Sequence, residues 1–379
     1  MTPRGSGKAA PFPRTPSRPL NVLVIGCGYW GWNYVRVFEE LPETRVAAVC
    51  DPSPDRLDTI AVAHPRVQLI RDLDAALALP EIDCAIVATP ASTHYEIGAR
   101  ALKAGLSTLV EKPFATRLID AEELLSLANA QSLTLMVGHT FVYNAAVRKM
   151  RDYLDANELG DIYYMYARRA NGGPLRTDVN ALWDLASHDI AIFNYLLDAD
   201  PEWVSAVGAR VLRNEREDVG FVSVGYAKGV IAHIQVSWVD TIKTREVGVV
   251  GQDKQVVFND LNVPERLRVF SRGDEMVAPD HPGYGNFMIQ LRRGEIVSPI
   301  LEATEPLKNQ CAHFIDCILT GRAPITDGMA GASAVRAMEA IDESVARQGV
   351  PVPLCREAAD NASGWDAVPS PRVDLVAPR

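Results

Sequence analysis

The chain has 379 residues, which is long for one ordinary compact domain and suits two. Hydrophobic residues make up 47% of it and charged residues 23%, proportions that are typical of a folded globular protein. The formal net charge of -10 argues against a nucleic-acid partner or an anionic membrane surface. No window of about 18 consecutive apolar residues is present, so no membrane span is expected.

The two ends of the chain lack the periodic apolar pattern of folded segments. Residues 1–19 are rich in proline and basic residues, and we expect a disordered arm there. We interpret residues 356–379 as a tail that lies on the surface or against a partner subunit. The six cysteines form no C-x-x-C pair, which indicates buried thiols in a reducing, cytoplasmic compartment. Because no Cys/His cluster has zinc spacing, no metal site is expected.

A glycine-rich turn follows the first predicted strand. Residues 22–25 are apolar and β-branched, which predicts a buried parallel strand. They lead into the segment Gly26-Cys27-Gly28-Tyr29-Trp30-Gly31. In a G-x-G-x-x-G motif, Gly26 permits the tight turn, Gly28 admits a pyrophosphate, and Gly31 lets the next helix pack closely. We therefore predict a helix over residues 29–40 with the phosphates of a dinucleotide, and contacts from Tyr29 and Trp30, at its N-terminus.

An acidic residue ends the second predicted strand, residues 46–50. Asp51 follows Gly26 at roughly the spacing of about 20 residues expected for a carboxylate that binds the adenosine ribose. Its charge would repel a 2′-phosphate, which favours NAD, whereas Arg56 in the next helix leaves NADP open. The alternative role for Asp51 is a helix N-cap, since Pro52 follows it.

Strands and helices continue to alternate up to residue 138. Strands are predicted over residues 67–70, 84–88, 107–110 and 134–137, with helices over 73–79, 93–104 and 118–130. This alternation predicts an α/β Rossmann domain over residues 20–139, with a parallel sheet covered by helices on both faces. Ligands bind beyond the carboxyl ends of such strands. The residues at those ends are Thr89, Pro90, Glu111, Lys112, Gly138 and His139.

The pattern changes in the second half, where we predict an α+β domain over residues 140–355. Helical segments (144–157 and 180–197) flank a strand at 162–169, and five β-like runs then follow up to residue 258. Two late helices are predicted at 306–319 and 329–347. The short turns between the runs predict a large, mostly antiparallel sheet. Alternate residues of run 230–238 are apolar, and that face must be covered by helices or by another subunit.

Several motifs resemble one family in their order and spacing, over about residues 20–350. They are Gly26-Cys27-Gly28, Asp51, Thr89-Pro90 with His94, Glu111-Lys112-Pro113 and Asp184-x-x-x-His188. The chain is similar in these to the glucose–fructose oxidoreductase / inositol dehydrogenase (Gfo/Idh/MocA) family. Segments 28–31 and 183–189 resemble a branch associated with nucleotide sugars and aminosugars.

The resemblance implies an NAD(P)-dependent oxidoreductase. Such an enzyme moves a hydride between nicotinamide and a hydroxyl or ketone carbon of a sugar, nucleotide sugar, aminosugar or cyclitol. The resemblance also implies a homodimer or homotetramer that associates through the exposed face of the antiparallel sheet.

Alcohol oxidation needs a hydride acceptor, a base and a group that stabilises the developing alkoxide. The resemblance makes Lys112 the cation that contacts the substrate oxygen, His188 the general base and Asp184 the residue that binds or orients the substrate. On a helix, Asp184 and His188 would share one face because they are four residues apart. Taken alone, the three would be a solvated lysine, a helix N-cap and a buried histidine. The dinucleotide motif favours the catalytic interpretation.

Other polar residues lie near these in the sequence. A basic cluster precedes the Asp184 helix: Arg168, Arg169 and Arg176, together with Asn180. This cluster is suited to bind phosphate or carboxylate groups of a substrate, and structural ion pairs are an equal alternative. Tyr143 and Asn144 are candidates to line a sugar pocket. His94, placed with the cofactor-binding motifs, is better suited to anchor the helix after Thr89-Pro90.

Two other functions are compatible with these residues. A redox-neutral NAD-dependent epimerase, lyase or hydrolase would oxidise its sugar and then reduce it back, so that NADH would not accumulate. A non-catalytic cofactor-binding sensor is expected to lack the lysine or the histidine of the site. Here both Lys112 and His188 are present.

Overall fold

Two β-sheets, one of six strands and one of nine, organise the chain. The computed structural model describes residues 18–173, 175–176, 178–212, 215–277 and 290–354. The predicted tail, and the predicted arm except for Arg18 and Pro19, lie outside the described residues. Among the described helices, none is both long and apolar enough to cross a membrane.

The first sheet is fully parallel, with the strand order β3-β2-β1-β4-β5-β6. Its strands are β1 (Leu20–Ile25), β2 (Thr44–Cys50), β3 (Gln68–Ile70), β4 (Cys84–Val87), β5 (Ser107–Glu111) and β6 (Leu135–Gly138). The connecting helices are α1 (Tyr29–Glu40), α2 (Pro54–Ala63), α3 (Leu73–Leu77), α4 (His94–Lys103) and α5 (Leu118–Ala130). Strands β4, β5 and β6 are buried along their whole length because helices cover both faces. The predicted Rossmann arrangement is confirmed, and the strand order reverses between β1 and β4, where such sheets bind ligands.

The second sheet has the order β14-β13-β12-β11-β7-β10-β9-β8-β15. Its strands are β7 (Ile162–Ala170), β8 (Trp203–Ala209), β9 (Val219–Gly225), β10 (Ile231–Ser237), β11 (Thr244–Gly251), β12 (Lys254–Asn259), β13 (Leu267–Val277), β14 (Gln290–Val297) and β15 (Val352–Pro353). All its neighbouring strands are antiparallel except β7 and β10, which pair in parallel. The prediction of a large, mostly antiparallel sheet is confirmed, but strands β13, β14 and β15 were not predicted.

Helices of the same chain cover one face of this sheet. They are α6 (Ala145–Asp155), α7 (Ser187–Leu197) and α9 (Gly328–Ala346), whereas α8 (Pro306–Thr320) packs on α1. On β10, Ala232, Ile234 and Val236 are fully buried in a core that includes Phe193 of α7 and Ile341 of α9. The apolar face that the sequence identified is therefore covered by helices, and the opposite face is the open one.

The last two helices return to the first sheet. On α8, Cys311 and Phe314 belong to the same buried core as Val24 of β1 and Tyr34 of α1. The backbone N–H of Val137 in β6 donates to the carbonyl of Thr326, just before α9, at 2.8 Å. These contacts bring the carboxyl ends of the parallel strands against α7 and the second sheet.

Candidate active site

The glycine turn after β1 has the shape of a phosphate-binding turn. Gly26 has φ +88°, and a side chain on Gly31 would overlap the carbonyl oxygen of Gly26, so both positions require glycine. A Cβ on Gly28, in contrast, would meet no described atom within 4 Å. Helix α1 begins at Tyr29 with no side-chain cap from a described residue. Its free N–H groups and the open space over Gly28 fit a pyrophosphate.

Asp51 joins the end of β2 to this turn. One carboxylate oxygen accepts from the N–H of Cys27 and the other from the N–H of Ser53, each at 2.9 Å. Burial acts to raise the pKa of Asp51, but these two N–H groups, the Cys27 thiol and the charge of Arg56 together hold the pKa below its ordinary value. Helix α2 has Ser53 as its N-cap, so the alternative role of Asp51 as that cap is wrong.

The charges of Asp51 and Arg56, beside the glycine turn, affect whether the site prefers NAD or NADP. The Asp51 carboxylate repels a 2′-phosphate. The exposed Arg56 lies with its Nη1 3.4 Å from Asp51 and is a cation that a 2′-phosphate could use. The residues of the turn therefore fit NAD and do not exclude NADP.

His94 links the turns that follow β4 and β5. Its Nδ1 lies 2.7 Å from the carbonyl oxygen of Pro113, and its Nε2 lies 2.8 Å from that of Thr89. Both nitrogens of this buried ring face backbone oxygens, which supports the anchoring role over a cofactor contact. Burial lowers the pKa of His94, although the two carbonyls act to raise it. Thr89 and Pro90 are thereby held at the end of β4.

Lys112 lies at the end of β5, buried against Asp184. Its Nζ donates to the Asp184 carbonyl at 3.0 Å and to its carboxylate at 3.1 Å. Arg176 Nη1 donates to the same carboxylate oxygen at 3.3 Å. Beneath Lys112, the Glu111 carboxylate accepts from the Tyr34 hydroxyl at 2.7 Å and from the Lys112 N–H at 2.9 Å. Burial raises the pKa of Glu111.

Asp184 lies in a π-helical turn, Leu182–Ala186, that precedes α7. The α-helical spacing assumed for Asp184 and His188 is therefore replaced by a wider turn, a feature that often accompanies functional sites. Asn180 is not placed as a substrate contact. Its Oδ1 accepts from the Trp183 N–H at 2.9 Å and its Nδ2 donates to Glu217 at 3.0 Å, so it stabilises the start of this turn.

His188 borders the same cavity as Lys112. Its Nδ1 is buried and has no hydrogen-bond partner among the described residues, and Phe141 contacts the ring edge-on at 4.9 Å between centroids. Burial, and then the charges of Lys112 and Arg169, hold the pKa of His188 well below its ordinary value. The imidazole is therefore neutral at pH 7 and can accept a proton.

The cavity that joins these groups has a volume of about 330 Å³. Tyr29 and Trp30, both exposed at the start of α1, form part of its wall, and Glu111, Asn144 and His188 also border it. Asn144 also caps α6, because its Oδ1 accepts from the Ala146 N–H at 2.9 Å. The structure thus brings together the glycine turn, Lys112, His188 and one of the two predicted pocket residues.

The other predicted pocket residue lies elsewhere. Tyr143 is buried, and its hydroxyl lies 3.2 Å from Thr326 Oγ1, away from this cavity. Tyr143 instead packs in the buried core that includes Met136 of β6 and Phe314 of α8.

The predicted basic cluster is taken up by ion pairs. Arg168 pairs with Asp240, the buried Arg169 with Asp189, and Arg176 with both Asp178 and Asp184. These contacts agree with the alternative that the arginines form structural ion pairs. Arg176 contacts the site through Asp184, and Arg169 lies over the ring of Phe141 on the cavity wall, 4.2 Å from the ring centroid.

Three site residues had no signal in the sequence. Arg245 of β11, together with Asp260 and Arg266 between β12 and β13, forms the cavity wall opposite the parallel strands. Arg245 Nη1 donates to Asp260 at 2.7 Å. The Nε of Arg266 is buried with no hydrogen-bond partner among the described residues. These residues reach the cavity through the pairing of distant strands and lie in no recognisable motif.

No group of three or more His, Cys, Asp or Glu side chains within the described ranges could hold a metal ion. The site is instead built from a lysine, a carboxylate and a histidine at the edge of a dinucleotide turn.

Comparison with known proteins finds dehydrogenases of similar sequence and fold. A UDP-N-acetylglucosamine 3-dehydrogenase from Acidithiobacillus ferrooxidans is 28% identical over 309 residues, which is 81% of this chain and 91% of that protein. Its solved structure superposes with a TM-score of 0.72 at 26% identity, covering 86% of this chain and 97% of that one. A D-apiose dehydrogenase from Paraburkholderia graminis is 25% identical over 343 residues, 87% of this chain and 88% of that protein.

The fold recurs in a more distant structure. The WlbA dehydrogenase from Bordetella pertussis, solved with NADH and UDP-GlcNAcA, has a TM-score of 0.72 at 21% identity and covers 89% of this chain and 99% of that one.

Family models match both halves of the chain. The model of the oxidoreductase family with an NAD-binding Rossmann fold matches residues 20–139, and the model of the GFO/IDH/MocA C-terminal domain matches residues 147–257. Together they cover more than half of the sequence, so the chain belongs to the GFO/IDH/MocA family of NAD-binding oxidoreductases.

Proposed function

We propose that this oxidoreductase transfers a hydride between NAD and a ring hydroxyl carbon of a nucleotide sugar. The observation that carries the proposal is the cavity in which Lys112 and His188 face Arg266, a cation without a described partner. When bound, NAD supplies the hydride acceptor. The relative from Acidithiobacillus ferrooxidans, a UDP-N-acetylglucosamine 3-dehydrogenase, supports this substrate class.

The roles of the polar groups follow from their chemistry. Lys112 is a cation held in place by Asp184, so it is suited to stabilise the oxygen that becomes an alkoxide. His188 is neutral and is suited to take the hydroxyl proton. We assign Asp184 to orient Lys112, because two of its oxygen atoms accept from the ammonium group.

Arg266 favours a substrate with a phosphate group. Most other cations near the site are paired: Arg245 with Asp260, Arg176 with Asp178 and Asp184. A buried guanidinium Nε without a partner is costly unless an anion or acceptor fills the position. The diphosphate of a nucleotide sugar supplies such acceptors, whereas a free cyclitol does not.

Titration of purified, cofactor-free protein with NADH and NADPH, followed by a panel of UDP-sugars, dTDP-sugars, free aminosugars and inositols, tests the proposal. We expect NADH to bind more tightly than NADPH and its fluorescence to change with one class of nucleotide sugar. Turnover with that sugar should accumulate NADH, which a redox-neutral enzyme or a sensor would not do. A response to inositols alone would contradict the nucleotide-sugar assignment.

We further propose that the protein is a homodimer or homotetramer that associates through the open face of the second sheet. Phe221 and Ile231 on that face are 41% and 45% exposed, and Tyr164 of β7, which pairs with Ile231, is 46% exposed. Contiguous apolar surface of this kind is typical of protein interfaces. In this arrangement residues 20–139 bind the dinucleotide, and residues 140–355 bind the substrate and form the interface.

We propose a cytoplasmic location for the protein. The five described cysteines are all free and buried, and none is paired in a disulfide. Free thiols are typical of proteins in reducing compartments. Fractionation of cells that produce the tagged protein would contradict this proposal if the protein were found outside the cytoplasm.

A further inference from the structure

The active-site cavity is separated from a second cavity by a single layer of residues. Gly138, Thr140 and Phe141 border the active-site cavity, whereas the intervening His139 and the following Val142 border the second one. Helix α7 also contributes to both cavities. His188 borders the active-site cavity, and Ala191, one turn later, borders the second cavity.

The second cavity is large and opens to water. Its volume is about 970 Å³, and its lining includes Arg148, Asp155 and Asp198, all of which are exposed. A polar cavity of this size holds many water molecules.

His139 is the buried polar group of this wall. It is 3% exposed, and neither ring nitrogen has a hydrogen-bond partner among the described residues. Buried polar groups in native proteins are nearly always satisfied, so an unpaired imidazole facing a wet cavity indicates a water or a functional role. Burial, and then the charge of Lys112, lowers its pKa to about 4. The ring is therefore neutral, with one nitrogen that donates and one that accepts.

The charged groups around His139 lie on several elements. They are Lys112 after β5, Arg148, Arg151 and Asp155 on α6, Asp198 and Asp200 after α7, and Asp327 before α9. Four aspartates and two arginines line the second cavity, whereas carboxylates and cations are equal in number around the active-site cavity, so the second cavity is the more negative of the two. This distribution favours movement of a proton from the active site toward the second cavity.

His188 needs a route for its proton. A base that has taken the substrate proton must lose it before the next turnover. Lys112, Arg169 and Arg245 all disfavour a charged His188, and its buried Nδ1 has no described partner. Cofactor and substrate bound in the active-site cavity would occupy the space beside His188, so the wall offers the other route to water.

We propose that His139 relays the proton from His188 to water in the second cavity. The inference rests on the proposed dehydrogenase function. In each turnover the hydroxyl proton passes from the substrate to His188 as the carbon gives its hydride to the nicotinamide. No hydrogen bond joins these two described rings, so His188 returns to neutrality by passing its proton through a bridging water to one nitrogen of His139, and the other nitrogen releases its proton to cavity water. One proton is released and no electrons move through the relay.

Replacement of His139 tests the relay through turnover. We expect His139→Ala to lower kcat for alcohol oxidation by about 100-fold at pH 7, with the affinity for NADH and the KM for the sugar nearly unchanged. Imidazole added to the buffer should restore much of kcat, because it can enter the vacated space from the second cavity. His313→Ala is the matched control. It removes a half-buried histidine, whose Nε2 accepts from the Ile325 N–H, and imidazole should not rescue it.

A measurement without sugar separates the relay from the proposed function. In nitrogen-15 spectra of histidine-labelled protein saturated with NADH, which would fill the active-site cavity, and without sugar, His139→Ala should slow exchange of the His188 ring proton with water by about 10-fold or more. Unchanged exchange overturns the relay, whether or not a sugar substrate is found. A loss of kcat that imidazole does not restore, together with weakened NADH binding, also overturns it and makes His139 a structural residue. Failure of the wild-type protein to oxidise any sugar, with normal exchange effects, overturns only the proposed function.

Discussion

Lys112 has little freedom to move, because its ammonium donates twice to Asp184 inside the protein. We predict that Lys112→Met abolishes turnover, lowering kcat by at least about 100-fold, while NADH still binds. Steady-state kinetics and fluorescence titration check the two parts. Lys149→Met is the control, since Lys149 lies on the surface beside Asp152, and it should change neither quantity. Retained activity in Lys112→Met would remove the assigned role.

His188 gives the site a predictable pH dependence. A general base works only when it is unprotonated, and a group with a lowered pKa stays unprotonated to more acidic pH. We therefore expect the acid limb of kcat/KM for alcohol oxidation to lie below about 6.5, the ordinary pKa of histidine. A pH profile of kcat/KM between acidic and neutral pH measures it. An acid limb centred at or above pH 6.5 would show that burial does not lower the pKa of His188.

Arg266 provides a test of the substrate class at a single residue. We predict that Arg266→Gln raises KM for a nucleotide sugar by about 10- to 100-fold, the effect of losing a charge-assisted hydrogen bond. KM for a free sugar should change little. Arg268→Gln, two residues further along and stacked on Phe270, is the matched control. Equal losses with both sugars would mean that Arg266 supports the fold and does not bind phosphate.

These residues differ in how far the sequence could predict them. Lys112 and His188 stand in local motifs, and both lie on the cavity. Tyr143 and Asn180 also looked suitable, but a hydroxyl contact to Thr326 and a cap on Trp183 hold them elsewhere. Arg266 was missed because its position depends on strand pairing over a long sequence separation, which single residues do not encode.

At the scale of the element, two glycines of the first turn serve different purposes: Gly28 leaves space for the cofactor, and Gly31 is needed for stability. We predict that Gly28→Ala changes the free energy of unfolding by about 1 kcal/mol or less, because its Cβ meets open space. It should weaken NADH binding by about 10-fold or more, since the methyl group occupies the space for phosphate. Gly31→Ala should instead lower the free energy of unfolding by about 3 kcal/mol, because it overlaps the Gly26 carbonyl. Chemical denaturation and NADH titration distinguish the two variants, and equal effects on stability would contradict the argument.

The helices and strands were predictable where the apolar residues recur with a clear period. The β1-turn-α1 unit and the alternating strands up to β6 follow from apolar runs and turn residues. The parallel pairing of β7 with β10 could not be predicted, because strand composition does not specify a neighbour. The π turn at Asp184 could not be predicted either, because its apolar pattern is compatible with an ordinary α-helix.

At the scale of the whole molecule, the open sheet face predicts assembly. We expect Phe221→Lys to shift the protein from a dimer or tetramer toward monomers, because a buried unpaired charge opposes association. Sedimentation velocity at several concentrations measures the change. Val62→Lys is the control. It changes an exposed apolar residue on helix α2, beside the first sheet, and should leave the assembly intact. A wild-type protein that sediments as a monomer would rule out the interface.

The return of α8 to the first sheet has a consequence for synthesis of the protein. Leu307, Cys311 and Phe314 complete the core around Val24 and Tyr34, although nearly 300 residues separate these groups in the chain. A nascent chain emerges N-terminus first, so the nucleotide-binding half leaves the ribosome with one apolar side uncovered. Until α8 has emerged, that surface is available to chaperones or to other nascent chains. Interruption of translation between the two halves would therefore release an aggregation-prone fragment, even though the fragment contains every strand of its sheet.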